Sequence, residues 1–421
     1  MKKATMFLTL ALAALILFVS CGEDPFFHTV KVINGDKTTE TVVFDGDEYT
    51  LPANSDAEFL GWKVNDDKYI KAPGEKVTVN GDVAVKAIYT DTDDDSVCLL
   101  VYVLTDPDGN FTGSFTSEST KRAVVPEGEV EILKAKDVTC EGAAFDGWYT
   151  DKDADGNRTR YTNGDTIEVT KFTKLYANWI DDNLVYEPSN STDSTYKVSA
   201  KDKTATSYKI SSWLEGKKVT VIKETGFTDC TNLTSITLPD TIKTISQYAF
   251  SACSNLTSCN LPDGLETIGK GAFMSSDLTG KVVIPSSVTS LGESCFNGSK
   301  NLTSVEFEAG CQITEIPYGA FTSCESITRV DIPDSVTEIR NGAFCDCSDL
   351  AEINIGAGII TIDVGAFDEC PYSLKINIQK TTAQVEAIAG YDVCWRNIDS
   401  SASGNHTKVY SSEGLVKELN T

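Results

Sequence analysis

The stretch Leu233-Thr-Ser-Ile236-Thr-Leu238-Pro239-Asp-Thr-Ile242-Lys-Thr-Ile245-Ser-Gln-Tyr-Ala249-Phe250-Ser-Ala-Cys253 decides how this chain is built, because its phrases keep returning. The Phe recurs at Phe227, Phe250, Phe273, Phe296, Phe321, Phe344 and Phe367, in steps of 23, 23, 23, 25, 23 and 23 residues. The opening phrase comes back as Ile327-Thr-Arg-Val330-Asp-Ile332-Pro333 and as Leu350-Ala-Glu-Ile353-Asn-Ile355. A fixed period of this length with an L-x-x-L-x-L core is the signature of a stacked solenoid. Each repeat is then one coil that cannot bury its apolar face alone, so stability belongs to neighbouring pairs.

Within a coil the alternation L-x-x-I-x-I puts Leu233, Ile236 and Leu238 inward on a short strand, with Ile327, Val330 and Ile332 equivalent. Pro then stops the strand because it lacks an N–H. A second apolar pair follows, such as Ile242 and Ile245 or Val336 and Ile339, and the Ala-Phe closes the far side. Strands stacked about 4.8 Å apart make seven coils roughly 30 Å long. Five cysteines, Cys230, Cys253, Cys324, Cys347 and Cys370, fall three residues after the coil Phe, where two other coils carry Ser276 and Ser299. A slot that takes Cys or Ser reads as a small buried position. Side chains running parallel from adjacent coils make poor disulfide geometry, and no zinc-like spacing is present. The two-residue insertion in Ala309-Gly-Cys311-Gln and an extra strand residue after Leu278 are expected to give local bulges, not a break.

Strand residues that do not point inward form two outward columns. One runs Ser235, Ser258, Lys281, Ser304, Arg329, Glu352; the other runs Thr237, Asn260, Val283, Glu306, Asp331, Asn354. The charged end, Glu306, Arg329, Asp331 and Glu352, is the candidate binding site for a protein partner.

The pattern L-t-s-I-x-I-P-x-s-v-t-x-I-g-x-x-A-F-x-x-C resembles the BspA-type, or Treponema-type, leucine-rich repeats over about residues 216–372. That resemblance implies a bacterial surface or secreted protein, with attachment to host matrix proteins, host cells or other bacteria as the expected function.

Before the array two copies of one small β module are expected. Phe59-Leu-Gly61-Trp62 matches Phe145-Asp-Gly147-Trp148, 86 residues on, and Lys86-Ala-Ile-Tyr89 matches Leu175-Tyr-Ala-Asn-Trp179. These phrases resemble the Listeria–Bacteroides repeat, the B-repeat of internalins, which implies a small β-grasp-like stalk module. Trp62, Trp148 and Trp179 read as filling a thin core, with sugar stacking as the alternative. Asp151, Asp153 and Asp155 alternate before Gly156 like half of a calcium loop. The bidentate Glu expected twelve residues into such a loop is replaced by Thr162, so a hairpin turn is the plainer reading.

At the start, Lys2 and Lys3 precede an apolar run from Phe7 to Val19, too short to span a bilayer and flanked like a secretory signal. Leu17-Phe18-Val19-Ser20-Cys21 resembles a bacterial lipobox, with Phe18 where Leu is usual; the resemblance implies lipidation of Cys21. Several acyl chains would give stable anchoring. The formal charge of −26 makes nucleic acid a poor partner. The two histidines, His28 and His406, are not placed to serve a folded catalytic site, and no phosphate loop or nucleophile motif stands out.

The expected organisation is multidomain: two small β-grasp-like β modules followed by a leucine-rich-repeat solenoid with short parallel strands. Residues 1–20 read as a signal peptide, 21–26 as a lipidated tether, 27–90 and 97–180 as the modules, and 181–207 as a linker. Residues 208–398 read as the capped array, with a helix-like stretch from Lys380 to Gly390 and Cys394-Trp395 in the C-terminal cap, and 399–421 as a flexible tail. The expected function is a non-enzymatic, lipid-anchored surface protein without cofactor, in the outer membrane and facing outward. The alternatives are a periplasmic scaffold and a carbohydrate binder.

Overall fold

The structure is a computed structural model. It describes residues 27–34, 37–44, 46–55, 59–65, 71, 74–79, 83–89, 98–103, 108, 110, 112, 114–115, 122–125, 128–131, 138–153, 156–162, 165–169, 172–190, 194–371, 373–388 and 407–419. Two compact units divide the chain: residues 1–104, 113–139 and 148–177 form one, and residues 105–112, 140–147 and 178–421 the other.

The first unit is built from β-strands. Strands Phe27–Asn34 and Lys37–Phe44 make an antiparallel hairpin, and Phe27–Asn34 also runs parallel to Val83–Tyr89. Phe59–Val64 pairs antiparallel with Val83–Tyr89 on its other side. The alternation of Val30, Val32, Val83 and Val85 supplies the buried face, and Trp62 fills its centre with Nε1 donating to the Pro52 carbonyl at 2.9 Å. The second copy repeats the first-to-last parallel pairing: Cys98–Val103 runs beside the start of Phe172–Asp181, with Leu99 opposite Phe172. Trp148 is buried against Tyr102, their ring centroids 4.6 Å apart.

The second unit is a β-solenoid whose parts follow from the repeat. Ser235–Ile236 pairs in parallel with Ser258–Cys259 on the first strand face. A seven-stranded sheet then runs in the order Gly280–Ile284, Leu302–Phe307, Arg329–Ile332, Glu352–Ile355, Lys375–Ile378, Thr407–Ser411 and Gly414–Leu419. The second apolar pair of each coil makes a narrower ladder: Lys217–Ile222, Thr244–Ile245, Thr267–Ile268, Ser290–Leu291, and separately Glu315–Ile316, Glu338–Ile339, Thr361–Ile362.

At the third corner the seven coil phenylalanines stack. Successive ring centroids lie 5.2 to 5.8 Å apart and no pair tilts by more than 21°. Each of these rings is at most 1% exposed, and the residue before most of them is a fully buried Ala, with a buried Cys295 in that place before Phe296. Each Phe N–H donates to the carbonyl just before the next Phe, for example Phe250 to Ala272 at 2.7 Å and Phe296 to Ala320 at 2.9 Å. The turn is tight enough to need left-handed backbone two residues before and two after each Phe. Tyr248 and Ala252 have φ of 53° and 57°, and Gly319 and Gly342 take the first position at 61° and 67°. Glycine accepts that conformation without the steric cost other residues carry.

The cysteine column has a definite job. The thiols of Cys253, Cys324, Cys347 and Cys370 donate to the carbonyls of Phe227, Phe296, Phe321 and Phe344, at 3.0, 3.3, 3.2 and 3.0 Å. Ser299 makes the same bond to Phe273 at 3.5 Å. A small side chain with one donor is what the slot requires, which explains why Cys and Ser alternate there. At the first of these coils the neighbouring Cys230 thiol and then burial push the thiol of Cys253 up. Burial pushes the thiol of Cys324 up.

Several expectations are corrected here. Residues 181–207, read as a linker, contain Leu184–Pro188 and Thr195–Ala200, which pair with each other and lead in parallel into Lys217–Ile222. Tyr196 and Val198 alternate inward and are buried; the Ser/Asn-rich composition falls in the sequence between the two strands. Residues 407–419, read as tail, form a hairpin that continues the sheet, with Val409 opposite Ile376 and fully buried. One buried residue among Ser, Gly and Asn leaves no compositional trace. The insertions do more than bulge. The wider ladder is interrupted between Ser258–Cys259 and Gly280–Ile284, with a register shift at Gly280/Lys281. The narrower one stops between Ser290–Leu291 and Glu315–Ile316. The Phe stack passes through both places unbroken. The helix-like stretch after Lys380 forms a short helix, Thr382–Glu386, with a capping box between Thr381 and Gln384. Cys394 and Trp395 lie outside the described residues.

The first coil has no predecessor, and carboxylates take its place. Asp108 accepts from Ser212 N–H at 2.7 Å and Ser212 Oγ at 2.6 Å, and Asp181 accepts from Lys209 N–H at 2.9 Å. Both oxygens of Asp146 lie 3.3 Å from the Glu215 N–H. Buried Asn178 bridges Asp146 and the Trp213 carbonyl, and Ser211 Oγ donates to Asn178 Oδ1 at 3.1 Å. Three aspartates from three segments thus hold backbone donors of residues 209–215 that a preceding coil would otherwise satisfy.

Two outcomes follow. Cys347→Ser should keep the bond to Phe321 and stay within about 1 kcal/mol of the parent, whereas Cys347→Ala should cost about 1–3 kcal/mol by orphaning a buried carbonyl. Urea denaturation followed by circular dichroism distinguishes them. Asp108→Ala, which removes both bonds to Ser212, should cost about 1–3 kcal/mol and raise amide exchange locally over residues 209–222; unchanged exchange there would remove the aspartates from the capping role.

Candidate functional site

Parallel pairing in exact register carries the outward strand residues into columns. Ser304 stands opposite Arg329, Arg329 opposite Glu352, and Glu352 opposite Lys375. In the second column Asp331 stands opposite Asn354, Asn354 opposite Asn377, and Asn377 opposite Tyr410. The structure therefore brings Arg329, Asp331 and Glu352 together on one face and places Glu306 one coil away in the same sheet.

These charges hold one another. The Arg329 guanidinium reaches Asp331 at 3.0 Å and Glu352 at 2.8 Å, and Lys375 reaches the other oxygen of Glu352 at 3.2 Å. Glu306 is paired with Lys281 at 3.0 Å. Amides extend the network: Asn354 donates to Asp331, and Asn377 donates to Glu352 at 2.8 Å and to Asn354 at 2.7 Å. Hydrogen bonds from Lys375 and then Asn377 hold the Glu352 carboxyl below its ordinary range. Burial works to raise the Asp331 carboxyl, but bonds from Asn354 and Arg329 overcome it and leave it lowered. Both carboxylates are depressed, so their pairing is intact at neutral pH and is lost only as pH falls through their lowered values.

Sequence reasoning stopped one coil too early. Lys375-Ile-Asn377-Ile repeats Glu352-Ile-Asn354-Ile and could have extended both columns. The final members, Lys408 and Tyr410, carried no such signal because the segment bearing them departs from the repeat. The Lys375 ammonium stands 5.1 Å from the Tyr410 ring centroid.

Trp62, Trp148 and Trp179 are at most 1% exposed, so none of the three can serve as a sugar-stacking platform. Asp153 accepts from Asn157 N–H at 2.7 Å and its own N–H donates to the Asn157 carbonyl at 2.8 Å, the bonding of a hairpin turn. Asp151 is exposed, and Asp155 lies outside the described residues. Among the described residues no three His, Cys, Asp or Glu side chains gather as a metal site. Cys21 and His406 also lie outside the described residues, as does the side chain of His28.

Comparison with known proteins agrees with the repeat. The BspA type Leucine rich repeat region matches in six copies over residues 205–313 and 266–392. A leucine-rich repeat protein from Bacteroides ovatus is similar at 20% identity over 48% of this chain, with a TM-score of 0.32. The match spans 65% of that protein's own length. The leucine-rich repeat protein of T. pallidum is similar at 24% identity, covering 47% of this chain and 83% of the other, with a TM-score of 0.33. The pneumococcal vaccine antigen PcpA is similar at 14% identity, covering 52% of this chain and 97% of the other, with a TM-score of 0.20. No curated protein matches the chain. The period, the parallel ladders and the Phe stack agree with the six copies in which the BspA type Leucine rich repeat region matches residues 205–392.

Proposed function

We propose that this chain is an exported, lipid-tethered, non-enzymatic protein that binds a protein partner on the outward strand face of its array. The observation that carries the reading is the seven-stranded sheet from Gly280 to Leu419, which presents charged and amide side chains in fixed register on a solvent-facing surface. A rigid ladder of side chains costs little further ordering on binding, which favours recognition of another macromolecule. Glu306, Arg329, Asp331 and Glu352 are the proposed contact residues, and their mutual pairing sets the geometry a partner meets.

Tethering would come through Cys21 after removal of residues 1–20, and the two N-terminal modules would serve as the stalk. They support this reading through the resemblance to internalin B-repeats. The partner class is a protein of the host matrix, of a host cell or of another bacterium. Nucleic acid is disfavoured by the charge of −26.

Protease shaving of intact cells tests the placement. Loss of array signal without lysis is the expected result; protection until the outer membrane is breached would replace surface binding with a periplasmic scaffold. Cys21→Ser should move the protein from the membrane to the soluble fraction. Arg329→Glu with Asp331→Lys should weaken partner binding about tenfold, the effect of roughly 1.4 kcal/mol. Unchanged binding would move the contact off this face.

A further inference from the structure

Because the coils repeat, the first four show what the corner around the Phe stack requires of the last three. Three residues before the ring stand Glu224, Gln247, Lys270 and Glu293, and then Tyr318, Asn341 and Val364. Seven residues before it stand Thr220, Lys243, Glu266 and Thr289, and the last coil has Ile360 there. Four coils fold with polar side chains at both positions, so packing asks for nothing apolar at either. Yet Tyr318, Ile360 and Val364 are 55%, 61% and 45% exposed, three of the five large apolar side chains that stand exposed among the described residues. Exposed apolar groups gathered within a polar surround mark a contact surface. Backbone bonds hold their coils together: Ile360 N–H donates to the Thr337 carbonyl at 2.8 Å, the Asn341 carbonyl accepts from Gly319 N–H at 3.2 Å, and Asn341 Nδ2 donates to the Val364 carbonyl. This edge belongs to the narrower ladder and the Phe corner, not to the seven-stranded sheet.

Charge changes at the same coils. The corner segments of the first four coils, residues 220–231, 243–254, 266–277 and 289–300, hold five carboxylates and four lysines. The same segments of the last three, residues 314–325, 337–348 and 360–371, hold seven carboxylates and one cation, Arg340. Arg340 is shared between Glu315, at 3.1 Å, and Glu338. Asp363 of the next coil accepts from the adjoining Asn341 N–H at 3.2 Å. Lys300 reaches in from the fourth coil and is held by Glu325 at 2.6 Å. Around the half-buried Cys345, burial and then Asp368, Cys370, Asp346 and Glu369 in turn push the thiol up. The overall charge of −26 does not account for this, because the first four coils are nearly balanced at the same positions. A carboxylate excess beside exposed apolar groups complements a segment that is cationic and apolar together.

We propose that the corner of the last three coils carrying Tyr318, Ile360 and Val364 is a second docking surface, and that its occupant is a cationic protein segment with apolar side chains among its lysines or arginines. The apolar side chains cover Ile360, Val364 and the Tyr318 ring, and the cations meet the carboxylates around them. This surface lies on a different edge of the coils from the strand face and stands or falls independently of it.

The test uses the full chain and a library of random linear peptides displayed on phage. Selected peptides are synthesised with a fluorophore and titrated by polarisation against the parent and three variants. Ile360→Thr with Val364→Asn installs the residues that the preceding coil carries as Thr337 and Asn341. Asp368→Thr with Glu369→Ser installs those carried as Thr322 and Ser323 two coils earlier. Arg329→Glu with Asp331→Lys alters the strand face alone. Because the repeat already folds with the first two sets, both variants should keep the parent's circular dichroism; should either lose it, Ile360→Thr alone or Glu369→Ser alone takes its place. The expected result is peptides that mix Lys or Arg with apolar residues, weakened about tenfold or more by the Ile360/Val364 change and unaffected by the strand-face change. The Asp368/Glu369 change should weaken them more at low salt than at high salt. Peptides lost on the strand-face change but indifferent to both corner variants overturn this inference and leave the strand-face reading standing. Peptides without basic residues, or no selected peptides, overturn it as well. A concentration-dependent dimer of the parent that the Ile360/Val364 change abolishes would make the occupant a second copy and overturn the assignment of a foreign segment.

Discussion

The stack of seven phenylalanines is the constraint on which the rest of the array depends. Each ring is sealed by the ring before and after it, so no coil has a complete core of its own. Burying a ring of this size contributes about 1.5–3 kcal/mol, and the neighbour supplies the burial. The neighbouring features answer to the stack. The small residue before the ring keeps the next coil close, the thiol or hydroxyl three residues later ties it to the preceding Phe carbonyl, and the left-handed pair bends the chain around it. The two strand ladders are less demanding. Insertions interrupt each of them once while the rings continue at 5.3 to 5.5 Å through the same coils.

A structure stabilised only by neighbours must solve its ends separately. At the first coil the solution is polar: Asp108, Asp146 and Asp181 receive donors that would otherwise meet carbonyls of an earlier coil. The array therefore begins in residues distant from the repeat, and its cap is not contained in residues 205–392 where the family pattern is found. At the other end the sheet closes by reversing direction in the hairpin Thr407–Ser411 and Gly414–Leu419.

What the sequence revealed tracks what repetition makes visible. The Phe beat, the inward sets and the outward columns through Glu352 were legible because seven copies average away local accident. Trp62 and Trp148 as core residues were legible because a small β module has little else to bury. The failures have one cause in common. Tyr196, Val198 and Val409 each occupy the inward position of a strand that occurs once, inside Ser- and Asn-rich sequence that composition assigns to linker or tail. The aspartate cap was invisible for a related reason: Asp108 and Ser212 meet across 104 residues, and no local pattern marks such a pairing. The pairing of Arg329 with Glu352 follows from the repeat, but the role of Lys375 required knowing that the column continues.

Because one coil is one step of 23 residues, the array is also graded for recombination. Unequal exchange between two coil-encoding segments adds or removes a whole step, leaves every Phe facing its stack, and keeps inward and outward positions in phase. The change it makes is to the spacing between the groups on the strand face, in increments of about 4.8 Å. A lineage carrying this architecture can therefore retune how far apart Lys281, Arg329 and Lys375 stand without redesigning the fold. The 25-residue step before Phe321 is two residues out of that phase, and the narrower ladder stops in the same coil.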